Sequence, residues 1–165
     1  MLAAIQRVIF AVYDKTDELR LRANVEEFAL VTQQASKKWL LLDLTNAFPE
    51  WMAAQEYRDA YFESPEDLAG YQTGELTEFV AALTAKLKSR ISAEADADTV
   101  VALMGVGTLF GLARVSSVVE GIKDAVEGRL LVFFPGQHHP ETHTYRLLDA
   151  RDGWNYLAVP LLAKD

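Results

Sequence analysis

The hydrophobic positions of this chain follow two rhythms. Predominantly apolar runs occur at Arg7–Asp14, Trp39–Thr45, Val100–Gly111, Arg129–Gly136 and Tyr156–Leu162. Their β-branched and aromatic content predicts buried strands. Between them, apolar residues recur at three- and four-residue spacing, as on one face of a helix. Leu21, Val25, Phe28, Thr32 and Ala35 mark one such face, and Leu76, Phe79, Val80, Leu83, Leu87 and Ile91 a second. Leu112, Val115, Val119, Ile122 and Val126 mark a third. The first strand, first helix and second strand make a βαβ unit, which favours parallel pairing and a right-handed crossover. The alternation predicts an α/β fold, a Rossmann-like three-layer α/β/α sandwich with a mostly parallel sheet of about five strands. The run at Val100–Gly111, which breaks from apolar residues into glycines, is expected to be its central strand.

Polar residues set the connections. Asp14 or Thr16 can cap the first helix, with Asp17 and Glu18 favourably placed at its positive end. Arg22 and Glu26 are spaced to pair on its solvent side, and Lys37 and Lys38 close it. Asn46 can cap the next helix, which tolerates Pro49 in its first turn and runs through Trp51 to Phe62. Residues 64–74 read as a polar linker, and 94–98 as an acidic loop. Gly128 reads as a left-handed helix stop and Pro135-Gly136 as the end of the fourth strand. Residues 137–144 read as a polar loop carrying all three histidines. Asp152-Gly153 marks a turn, and Pro160 assigns the last strand to a sheet edge.

Composition narrows the class. A chain of 165 residues, half of them hydrophobic, is expected to form one packed α/β domain over residues 1–165. No apolar run approaches the ~20 residues of a membrane span. The amino terminus lacks the segments of a signal peptide. With no cysteine there can be no disulfide or thiolate metal site, which fits a cytoplasmic protein. The net charge of −8 repels phosphates at long range. Direct nucleic-acid binding is therefore not expected, while a basic partner protein is compatible.

Three constellations could carry chemistry. Gly105, Gly107 and Gly111 approach the dinucleotide pattern G-x-G-x-x-G but have one residue too many before the third glycine. The acid expected at the end of the next strand is absent, and no Gly-Lys-Ser/Thr follows to make a P-loop. Two readings stand: a tight turn that lets helix and sheet pack closely, or a degenerate nucleotide- or phosphate-binding site with Arg114 facing the anion. His138, His139, Glu141 and His143 could offer metal ligands but lack helical spacing, so no metal is assigned. Asp14 and Asp43 end the first two strands, where they could hold Mg²⁺, act as an acid–base pair, or simply cap helices and form turns. Ser116 and Ser117 have no local base and no nucleophile elbow, so no catalytic residue and no cofactor is assigned. The stretch from Tyr57 to Leu68 has more aromatics than one helix face needs; it reads either as core packing or in part as a partner surface, for which Trp51, Tyr57, Arg58, Tyr61 and Phe62 are the candidates.

Taken together, several of these stretches resemble the BrxB family (formerly DUF1788) of BREX bacteriophage-exclusion systems. The resemblance is carried by Phe10–Asp14 with Asp17–Arg22, Trp39–Thr45, Phe48–Arg58 with Tyr61–Leu68, Gly105–Gly111 with Arg114–Ser116, Leu130–Gly136 and Tyr145–Tyr156. It implies a cytoplasmic component of a multi-gene antiphage system that also contains a PglZ-like protein, an ATPase and a methyltransferase. It carries over no catalytic residue. The expectation is a non-enzymatic adaptor binding other BREX subunits, with self-association left open. Relatives begin with a further helical segment, so Met1 is expected to mark a short form. They carry a shorter turn in place of residues 137–144, which makes the histidines poor candidates for a shared role.

Overall fold

The computed structural model describes residues 3–55, 63, 76–148, 154–155 and 159–162. Strands β1 (Val8–Tyr13), β2 (Lys38–Asp43), β3 (Thr99–Met104), β4 (Arg129–His139) and β7 (Val159–Leu162) run parallel in the order β2-β3-β4-β1-β7. Strands β5 (Thr144–Leu147) and β6 (Trp154–Asn155) extend β4 in antiparallel fashion. Helices α1 (Glu18–Gln34), α2 (Ala47–Ala53), α3 (Thr77–Glu94) and α4 (Val115–Ile122) cover the faces. This is the predicted mostly parallel α/β architecture, Rossmann-like.

Two apolar cores lie on opposite faces. On one, Val8, Phe10, Leu42, Leu103, Val132 and Phe134 pack against α3 and α4, whose stripes bury Phe79, Leu83, Leu87, Ile91, Val115, Val119 and Ile122. On the other, Ala11, Ala102, Met104, Leu131 and Phe133 meet Val25, Leu21 and Phe28 of α1. The face on which each side chain falls follows from strand alternation. Phe134 stacks on Phe10 at 5.2 Å, and Phe133 meets Phe28 edge-on at 5.0 Å.

The structure corrects four expectations. The central strand is β4 rather than the Val100 run, which lies one place nearer the edge as β3. The first two strands are parallel but not neighbours, because β4 and β3 come between them. Residues 137–144 are not simply a loop. β4 continues to His139 and pairs with β5 from Gly136↔Leu147 to His139↔Thr144, leaving only the tip as a turn. Gly128 has no positive φ. It is glycine because a Cβ would lie 2.1 Å from the Thr99 carbonyl oxygen.

Other expectations hold. Pro160 sits in β7, which among the described residues pairs only with β1. Asp96 and Asp98 of the acidic loop bind Lys38 and Lys37, which join the start of β2 to the start of β3. The cap expected from Asn46 is not formed: Asn46 precedes α2 but makes no side-chain capping bond. The linker and the aromatic segment from Tyr57 to Phe62 lie outside the described residues.

Candidate functional site

The loop after β1 leads to α1 on one face, and the loop after β3 leads toward α4 on the other. Loops that diverge in this way open a crevice at the carboxyl ends of the strands, where open α/β sheets receive ligands. A cleft of about 270 Å³ lies there, lined by Lys15, Glu18, Arg22, Gly105, Thr108 and Pro135, among others.

The same local device ends β1 and β2. Asp14 Oδ1 accepts from the Thr16 amide at 2.8 Å and its hydroxyl at 2.6 Å. Asp43 Oδ1 accepts from the Thr45 amide at 2.9 Å and its hydroxyl at 2.5 Å. Both are Asp-x-Thr turns, the capping alternative anticipated for these aspartates. Hydrogen bonding from Thr16 holds the Asp14 carboxyl below its ordinary range. The two strands are three spacings apart, roughly 14 Å, too far for the aspartates to share one cation.

Arg22 links the two strand ends. Its Nε donates to Glu18 Oε1 at 2.8 Å, one Nη donates to Thr45 Oγ1 at 2.9 Å, and the other lies 3.7 Å from Asp43 Oδ2. Tyr13 donates its hydroxyl to the other Glu18 oxygen. Burial pushes the Tyr13 phenol up first, and the bond to Glu18 pushes it further. Arg22 thus pairs with Glu18 rather than with Glu26. Sequence spacing allows either partner. Tyr13 and Thr45, brought in by other elements, favour the first. The repeated Asp-x-Thr after successive strands is the sequence signal that could have disclosed this network.

Each candidate glycine has an intramolecular neighbour or a backbone requirement. Gly105 has φ +79°, and a Cβ there would meet Thr45 Oγ1 at 2.7 Å and Asp43 Oδ1 at 2.9 Å. Gly107 faces Pro135 Cγ at 3.3 Å, and Gly111 has φ +78° with open space around it. The glycines lead into the short 3-10 turn Val106–Leu109, and α4 begins only after Arg114. Arg114 does not line the crevice. The structure therefore brings Gly105 and Gly107 to the crevice but not Arg114.

The remaining candidates are scattered. His138 and His139 lie in β4 and His143 in the turn beyond. Burial, then the neighbouring histidines, lowers the His138 pKa. No cluster of metal-ligating side chains occurs among the described residues. Ser116 and Ser117 lie half-buried in α4. Trp51 packs against Phe79 at 5.5 Å and Phe48 at 6.0 Å. It forms one wall of a cavity of about 360 Å³ between the end of β2, α2 and α3. Tyr57, Arg58, Tyr61 and Phe62 fall outside the described residues.

Fold and site together define the class: an open, mostly parallel α/β protein whose strand-end loops are held by an arginine-centred polar network. The chain belongs to the BrxB family, since the model described as BREX protein BrxB matches residues 40–161, from within β2 to within β7. Membership ties it to the BREX phage-exclusion system. Comparison with curated proteins and with solved structures gives no match. Among the described residues, no helix is long and apolar enough to cross a membrane.

Proposed function

We propose that this chain is a non-enzymatic adaptor of the BREX assembly, with the cavity beside Trp51 as its docking pocket for another BREX subunit, the PglZ-like protein first. The observation that carries the docking site is the cavity itself. Leu42, Leu44, Trp51, Phe79, Leu83 and Leu87 give it an apolar lining, and Glu50, Lys86 and Arg90 stand around it. An apolar pocket with a charged rim suits the anchoring side chains that dominate protein interfaces. Two further observations support an adaptor over an enzyme. The space beside Gly105 that a phosphate cradle would use is filled by Asp43 and Thr45. The two strand-end aspartates are engaged in turns.

The test is co-purification of the tagged chain from cells expressing a complete BREX system. The wild type should retain the PglZ-like subunit, directly or with the ATPase and methyltransferase. Ala82 is exposed and lines the cavity, so Ala82→Arg should block the pocket, abolish retention and leave the thermal midpoint unchanged. If the wild type retains no BREX subunit, the adaptor reading fails. Equal retention by wild type and variant would remove the pocket as the docking site.

A further inference from the structure

At the opposite end of the sheet, the turns preceding β1, β3 and β4 enclose a second cleft of about 310 Å³. Arg7, Lys37, Asp98, Thr99, Glu127 and Arg129 line it, together with Gly128 and its neighbours. The cleft thus has three cations against two carboxylates, on a chain whose net charge is −8. Its local sign is the reverse of the molecule's.

The cations differ in how far the protein already satisfies them. Lys37 is bound to Asp98 at 2.5 Å. One Nη of Arg7 donates to the Glu127 carbonyl oxygen at 3.0 Å, but its Nε is buried with no hydrogen-bond partner among the described residues. Arg129, the exposed first residue of β4, has neither an ion pair nor a side-chain hydrogen bond among the described residues. A buried donor without an acceptor is costly, and an anion in the cleft would supply the acceptor. Guanidinium groups match oxyanions in geometry as well as charge.

We propose that this cleft is an oxyanion-binding site of the phosphate class, with Arg7 and Arg129 as its principal donors and Lys37 as a secondary charge. Two guanidiniums and an ammonium offer more donors than one carboxylate can accept from, and they favour a group with a second negative charge and additional oxygens. The cleft lies apart from the crevice at the carboxyl ends and from the cavity beside Trp51. The assignment is independent of the adaptor reading.

The test uses the full chain, isotopically labelled, titrated with inorganic phosphate and pyrophosphate at constant ionic strength. Backbone amides of residues 97–99 and 127–129 should shift in a saturable way. Arg129→Gln, at an exposed position, should weaken binding by about tenfold, as loss of a charged hydrogen-bond donor does. Lys86→Gln, beside the other cavity, should leave the titration unchanged. Acetate serves as the carboxylate probe and should bind more weakly than phosphate. Equal binding of acetate would overturn the phosphate assignment. No saturation up to about 50 mM, where even a millimolar site fills, or an unchanged titration in Arg129→Gln, would overturn the site.

Discussion

Gly105 and Gly111 share one backbone conformation and differ in their surroundings. Both have φ near +80°, but only Gly105 has another strand end pressed against the position of the missing side chain. A left-handed conformation costs a residue with a Cβ roughly 1–2 kcal/mol. Gly111→Ala is expected to lose about that amount in urea unfolding. Gly105→Ala should lose more, because Thr45 and Asp43 must also move. Comparable losses at the two positions would show that the contact with Thr45 carries no weight. The glycines themselves were legible in the sequence, as was the alternative that they serve packing. What Gly105 and Gly107 face was not, because Thr45 lies just past the end of β2 and Pro135 lies in β4. For the same reason the Tyr13–Glu18–Arg22–Thr45 network was invisible, while the aspartates that end β1 and β2, Asp14 and Asp43, stood out as turn formers.

At the scale of elements, periodicity located the strands and the apolar stripes of the long helices, and it failed where one element changes partners. Pro135-Gly136 reads as the end of a strand. It is instead the point where β4 leaves its parallel neighbours, at the pair Tyr13↔Pro135, and enters the hairpin with β5. Gly136 permits this, since a Cβ would lie 1.9 Å from the Arg146 carbonyl oxygen. Gly136→Ala should therefore separate β4 from β5. Amide exchange should rise across residues 137–147 and much less in β1 and β3. Unaltered protection of the hairpin would contradict that account. Beyond the turn, His138 packs against the ring of Tyr145 at 4.7 Å. Pairing of this kind depends on register, which composition does not reveal.

For the whole molecule, the class of fold was legible and the order of strands was not. Alternating strands and helices imply a parallel sheet, but a crossover can pass over any number of neighbours. Here the first passes over two strands and carries β2 to the edge. β4 becomes the middle strand, fully buried on both faces through Phe133 and Phe134. Phe133→Ala and Phe134→Ala are each expected to cost about 3–5 kcal/mol, a large share of an ordinary domain's stability of roughly 5–15 kcal/mol. Matching losses in chemical denaturation would show that both layers are needed. A near-neutral Phe133→Ala would mean that the α1 layer contributes little. The strand order also matters during synthesis. The first strand made, β1, finds its partners in β4 and β7, with Val8 opposite Leu130 and Ile9 opposite Val159. On the ribosome this apolar segment must wait roughly 6–24 s for β4 at ordinary elongation rates. For that interval the nascent chain is a natural client for chaperones.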